Sequence, residues 1–379
     1  MDAEKRRTPD SDGFSSLLLM LIALSGEFPI EQVRRLSGSV SYADFVVKRL
    51  KRERLIRTYY RDGLRGLRLT AAAKKQLAAD WPDRFVPLFT GDTMTNAPKY
   101  SILHRLRLHR MAEVLVSMFN VGILSFPWEK PVVFTPTPLT EAPYIEWPAY
   151  YGSREVKNLG ALATKIRNSR AMGLLLTGGS IFAVYNTGPA LMKWEYQAEM
   201  RLKALLQIEL CQNRLPGQFG AAELSAILFG SHMGQAPALL DADTKGKDHF
   251  IQDGSYDHFY FLTCDQRGDV ILYLLLHPDE KAVLDGILSQ GLDPARPNWA
   301  VVNDAMDGDS PVLFGYTCDM PRIMKFDNVL HIHGRTGTLY CFDFQEDAMR
   351  QVCGPNVEIR HIDFEAYEGS VFHQPQETD

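Results

Sequence analysis

The sequence predicts an α+β protein in which an N-terminal winged helix-turn-helix is joined by a helix to a mixed α/β C-terminal region. Three observations carry that expectation. Over the first 80 residues the pattern reads helix, helix, helix, hairpin, helix. After residue 170, apolar segments of strand length alternate with helical ones. Charge is also unevenly spread: residues 1–110 hold 21 Lys and Arg against 12 Asp and Glu, whereas the remaining 269 hold 20 against 34. A basic head on an acidic body points to a polyanionic partner for one part of the chain only.

Leu17, Leu18, Met20, Leu21, Ile22 and Leu24 make a first helix that is apolar around most of its circumference, as suits the centre of a small bundle. Ser25-Gly26-Glu27 ends it. Pro29 fits the first turn of a second helix, Ile30 to Leu36, where its missing N–H is not needed. Ser37-Gly38-Ser39 is a turn of the kind that separates two helices of a helix-turn-helix. Ser41 is expected to cap the third helix, with Asp44 favoured by the helix dipole. Ala43, Val46, Val47, Leu50 and Leu55 supply the inner face of that helix and leave Tyr42, Phe45, Lys48, Arg49 and Arg52 outward. Ile56–Tyr60 and Leu67–Leu69 read as strands around Arg61-Asp62-Gly63-Leu64-Arg65-Gly66, where Asp-Gly is a strong hairpin signal. Thr70 caps a fourth helix through Ala79.

Residues 31–75 carry 13 Lys and Arg against 4 Asp and Glu. In a winged helix-turn-helix the third helix enters the major groove and the wing lies along the backbone or minor groove. The expected partner is therefore double-stranded DNA. Its contacts are Ser41, Tyr42, Phe45, Lys48, Arg49 and Arg52 on the helix, with Arg61, Arg65 and Arg68 on the wing. The cations give affinity through phosphates, while Ser41, Tyr42 and Phe45, near the helix start, can read base edges. A winged helix used for protein contacts, its cations simply solvated, is the alternative.

Asp80 to Pro98 reads as a linker and Tyr100 to Val121 as a long helix, basic from His104 to Arg110 and apolar from Met111 to Phe119. Such a stripe suits either the seam of a homodimer through residues 100–121 or packing on the second domain. The domain boundaries are thus 1–80 for the winged helix, 81–122 for the linker and connecting helix, and 123–379 for an α/β region with room for two subdomains. In that region Ala171–Leu176 and Ser180–Tyr185 read as strands, and Met192–Cys211 as a helix with Trp194 and Leu202 inward and Glu199 outward. Asp257–Cys264, Asp269–Leu276, Val312–Cys318, Val329–Ile332, Leu339–Phe344 and Val357–Ile362 read as extended. Pro278–Leu288 and Glu346–Val352 read as helices.

The chain holds no phosphate loop, no HExxH and no GxSxG, and its five cysteines include no CxxC pair, so no cofactor is indicated. His331-Ile332-His333 places two imidazoles on one strand face, short of the three ligands that a catalytic zinc takes. The enzymatic alternative is a metal-dependent nuclease. Asp241-Ala242-Asp243-Thr244-Lys245 sets a carboxylate two residues before a lysine, with Glu155 and Lys157 a second such pair and Glu195 with Glu199 a helical one. The longest apolar run, Leu17 to Leu24, is too short to cross a membrane, so a cytoplasmic protein with no membrane partner is expected.

The head, the basic helix beginning His104-Arg105-Leu106-Arg107-Leu108-His109-Arg110, and the stretch from Gly178 to Gly188 together resemble the replication-relaxation proteins of plasmids and conjugative elements of Gram-positive bacteria. The resemblance covers residues 15–210 in the order of its parts. It implies a DNA-associated role in replication or mobilisation of an element, and the chain is read as a DNA-binding protein of a mobile genetic element acting in replication, mobilisation or transcriptional control. It transfers no catalytic residues, and the acidic region after residue 215 has no counterpart in it.

Overall fold

The computed structural model describes residues 11–90, 99–159, 168–190, 195–239, 256–297 and 299–372, and it shows a mixed α+β protein with several sheets. The chain divides into two units, Met1–Ala163 with Met172–Gly178, and Thr164–Ala171 with Gly179–Asp379. Among the described residues no helix is long and apolar enough to cross a membrane.

The first unit is built around α1 (Ser11–Ser25), whose Phe14, Leu17, Leu18, Leu21 and Ile22 are all buried. It continues with β1 (Phe28–Pro29), α2 (Ile30–Ser37), α3 (Val40–Arg52), β2 (Ile56–Arg61), β3 (Leu64–Leu69), α4 (Ala71–Asp80), α5 (Pro82–Thr90) and α6 (Ile102–Asn120). A helix apolar on every side must be surrounded, and α1 packs against β1, α3, β3, α5 and α6. The unit is completed by β4 (Ala149–Gly152), the single turn α7 (Ser153–Val156) and β5 (Gly173–Leu176), with β4 and β5 antiparallel.

Several local expectations need correction. Pro29 lies just ahead of α2 in extended conformation, and with Phe28 it pairs antiparallel to β3. Gly38 (φ 64) closes α2 in the left-handed region, and Ser39, not Ser41, caps α3, its hydroxyl accepting from the Tyr42 N–H. Asp80–Pro98 is not all linker, because Pro82 opens α5 and Phe85 is fully buried. The hairpin is tighter than the sequence suggested, with Arg61 directly opposite Leu64. Asp62 (φ 52) and Gly63 (φ 76) both sit at positive φ, as a two-residue turn matching strand twist demands. Gly63→Ala forces a side chain into that conformation and is expected to lower stability by about 1 kcal/mol in urea denaturation.

The apolar half of α6 is covered within its own unit, by α1, α2, β1 and β3; Met111, Ala112, Val114, Leu115, Val116 and Met118 are buried there. That burial accounts for the apolar stripe of Met111–Phe119 inside the unit, while Tyr100 and Leu103, earlier in the segment 100–121 read as a homodimer seam, stay exposed.

In the second unit β6 (Ile181–Gly188), β7 (Leu224–Gly230) and β8 (Phe259–Thr263) run parallel and adjacent. Between β6 and β7 lie α8 (Tyr196–Leu206), a π-helical continuation Gln207–Arg214, and α9 (Pro216–Phe219). After β8 come α10 (Gln266–Leu276) and α11 (Pro278–Leu288). A second sheet follows, made of β9 (Asp293–Pro294), β10 (Ala305–Asp307), β11 (Ser310–Phe314), β12 (Gly337–Phe342) and β13 (Val357–Ile362). Its last three strands are parallel, linked through α12 (Met320–His333) and α13 (Glu346–Val352), with α14 (Phe364–Phe372) after β13.

The two parallel sets share one plan. β7 and β12 each lead into a short 3-10 turn ending in a glutamine. Gln235 accepts from the Ser231 N–H (2.7 Å) and donates to the Gly188 carbonyl (2.9 Å). Gln345 accepts from the Phe342 N–H (2.8 Å) and donates to the Tyr316 carbonyl (2.9 Å). β8 and β13 each pass into a helix through an aspartate, Asp265 or Asp363, whose carboxylate accepts from the N–H of Gly268 or Ala366.

Two extended assignments in this region are overturned. Asp269–Leu276 lies in α10, where Val270, Ile271, Leu272 and Leu274 are buried; a run buried on all sides shows no period that separates helix from strand. Val329–Ile332, with His331 and His333, belongs to α12. Leu202 is buried in α8 as expected, whereas Trp194 lies outside the described residues.

Candidate nucleic-acid interface

On α3 the buried residues Ala43, Val46, Val47 and Leu50 fix which face turns outward. Ser41, Phe45, Lys48 and Arg52 are exposed, and their spacing of four, three and four residues makes them one stripe along the helix. Tyr42 is half-buried, its ring tilted against Phe14 with centroids 5.5 Å apart. Arg49 is half-buried and its Nε donates to Glu53 (3.0 Å) one turn on. On the hairpin, Arg61 and Arg65 are exposed, Arg61 beside Asp62 at 3.5 Å.

Arg68 does not belong with them. It is 6% exposed and its guanidinium turns inward onto Glu27, donating from Nε (2.9 Å) and from an Nη (2.6 Å), while that Nη also reaches the Lys99 carbonyl. Glu27 is fully buried and binds two further groups from α6: Arg105, through contacts as short as 2.6 Å, and His109 Nε2 at 3.0 Å. Burial pushes the Glu27 carboxyl up, but hydrogen bonds from His109, Arg105 and Arg68 outweigh it and hold the pKa at about 2. Arg105 also donates to the carbonyls of Arg61 (2.8 Å), Leu64 (2.9 Å) and Tyr59 (3.4 Å), so a helix residue grips the hairpin on both sides of its turn. The Tyr59 ring lies against both guanidinium groups, 3.8 Å from Arg68 and 4.6 Å from Arg105. Gly66 must lack a side chain, because a Cβ there would fall 2.4 Å from Glu27 Oε1 and 2.7 Å from His109 Nε2.

Sequence reasoning missed other cations of this surface. Burial and the neighbouring Arg65 lower the Lys51 pKa, and burial and Arg57 lower that of Lys74. Lys51 of α3 is thus near Arg65 of β3, and Lys74 of α4 near Arg57 of β2, while Asp44, Glu53 and Asp62 each sit beside an arginine of the same region. The charge count over residues 31–75 contained these lysines, but their position at a helix end or in a short helix hid their direction.

The residues named for nuclease chemistry do not assemble among the described residues. Asp241, Asp243 and Lys245 lie outside them. Glu155 is held by Lys130 Nζ (3.0 Å) and the Gly152 N–H (2.9 Å), whereas Lys157 has its pKa lowered by burial and by Arg107 and Arg154. Glu199 is buried rather than outward; it accepts from Ser169, the Arg170 N–H and the Tyr185 hydroxyl, and burial raises its pKa. No group of three or more His, Cys, Asp or Glu among the described residues could hold a metal ion.

The second unit does contain a paired imidazole. His258 Nδ1 lies 2.6 Å from Asp319 and Nε2 lies 3.3 Å from Glu223, with Arg322 and the stacked Tyr260 ring also facing it. The hydrogen bond to Asp319 raises the His258 pKa above 6.5 against the opposing pull of burial. A raised histidine contributes stability fully below its unfolded value of 6.5, and that contribution is lost as pH rises through the folded value. The urea midpoint is therefore expected to fall as pH climbs from 6 to 9, and His258→Gln should flatten that fall. Compared with models of known families, with characterised proteins and with solved structures, the chain matches none.

Proposed function

We propose that the chain is a double-stranded-DNA-binding protein in which residues 11–80 act as a winged helix-turn-helix, with α3 in the major groove and the β2–β3 hairpin as the wing. The observation that carries this reading is the outward stripe of Ser41, Phe45, Lys48 and Arg52, flanked by the exposed Arg61 and Arg65 of the hairpin. Cations at these places reach phosphates on either side of a groove, and the polar and aromatic residues of the first turns meet base edges. Following the resemblance to replication-relaxation proteins, the role we assign is replication, mobilisation or transcriptional control of a mobile genetic element. Arg68 is left out of the contact set because it serves the Glu27 cluster.

The test is fluorescence anisotropy on a duplex of about two helical turns, with salt varied between roughly 50 and 200 mM. Four phosphate contacts, by Lys48, Arg52, Arg61 and Arg65, give a log–log slope of about −3.6, or about 150-fold in affinity over that range. Absent or salt-insensitive binding sinks the reading. A parallel arm with Mg²⁺, scored for strand cleavage, separates a binder from a nuclease.

A further inference from the structure

We infer that Phe45 reads thymine through its 5-methyl group, so that the surface prefers duplex rich in A·T pairs; the inference rests on the DNA-binding reading above. Phe45 is 58% exposed, although the face behind it, Ala43, Val46, Val47 and Leu50, is already packed. Its ring therefore projects from a helix side on which Ser41, Lys48 and Arg52 are the other exposed members of the stripe. Tyr42, the neighbouring aromatic, rests on Phe14 and is held toward the core, which leaves Phe45 as the aromatic group pointing away. A phenyl ring has no hydrogen-bonding group with which to read the donor and acceptor pattern of guanine, cytosine or adenine. The one apolar group in the major groove is the thymine methyl. Phe45 sits in the second turn after the Ser39 cap, in the half of the helix that approaches base edges, with Lys48 and Arg52 further along. Those cations select a polyanion over an apolar protein groove as the occupant.

The experiment uses the full chain and two probes, an alternating d(AT) duplex and the same duplex with uracil in place of every thymine. Alternation puts a thymine on one strand or the other at every step, so Phe45 meets a methyl in any register. The parent is expected to bind the uracil duplex about fourfold more weakly for each methyl it covers. Phe45→Ala is expected to bind both probes equally and to keep the parent's salt slope, since a mostly exposed phenyl ring makes no phosphate contact. Equal binding of both probes by the parent, with a steep salt slope, overturns the inference and leaves the DNA reading standing. A thymine preference that persists in Phe45→Ala assigns the methyl to another residue and also overturns it. Absence of salt-dependent binding to either probe removes the DNA reading and the inference together.

Discussion

Glu27→Gln is expected to destabilise the first unit by about 3–5 kcal/mol, measured by urea denaturation at neutral pH. The substitution keeps the shape of the side chain but removes the carboxylate that faces two guanidinium groups, of which Arg105 is fully buried and Arg68 nearly so. An arginine cannot shed its proton to relieve the loss, so the uncompensated charge stays in the interior. Glu53→Gln is the control: it breaks the exposed pair with Arg49 and should shift stability by less than about 1 kcal/mol. The same carboxylate sets an acid limit. With its pKa lowered from 4.5 to about 2, Glu27 contributes stability above the unfolded value, and that contribution is lost as pH falls through about 2. The variant should therefore lack the part of the acid dependence that lies between those two values. A variant as stable as the parent would mean that the cluster is not closed in solution.

The second large effect is expected on the proposed DNA binding. Replacing both Lys48 and Arg52 with alanine should weaken binding to every duplex sequence and bring the salt slope from about −3.6 to about −1.8, because two of the four counterion-releasing contacts are gone. Both side chains are exposed on α3, so the fold should survive, as circular dichroism can verify. The variant loses affinity most at low salt and converges with the parent as salt rises. If its binding and slope match those of the parent, the cations of α3 are solvated only, and the head is a protein-contact module.

Much of the backbone was legible because it rests on local rules. Asp62-Gly63 announces its hairpin, since few residue pairs accept positive φ twice. α11, α13 and β13 lie where the pattern placed them, each beside a proline or glycine that limits the alternatives. The apolar residues of α3 correctly turned Phe45, Lys48 and Arg52 outward, but Tyr42 and Arg49, read as outward with them, are half-buried against Phe14 and Glu53. What escaped was everything decided at a distance. Arg68 looks like another wing cation, and Glu27, next to a helix-ending glycine, looks like a solvated turn. Their pairing spans 41 residues, and those of Glu27 with Arg105 and His109 span 78 and 82, so no local period records them. Glu199 was misplaced for the same reason: its partner Ser169 lies 30 residues away.

The grip of Arg105 on the hairpin also bears on how small a piece of this protein can stand alone. A fragment ending after α4 would contain Glu27 and Arg68 but not Arg105 or His109, leaving a buried carboxylate with one of its three partners and the carbonyls of Arg61 and Leu64 without the Arg105 guanidinium. Water would enter where those groups had been, and the strands flanking Asp62-Gly63 would gain freedom that the intact chain denies them. A stable fragment of the head is therefore expected to need α6 at least as far as His109, well past the point where the local pattern of helices and hairpin comes to an end.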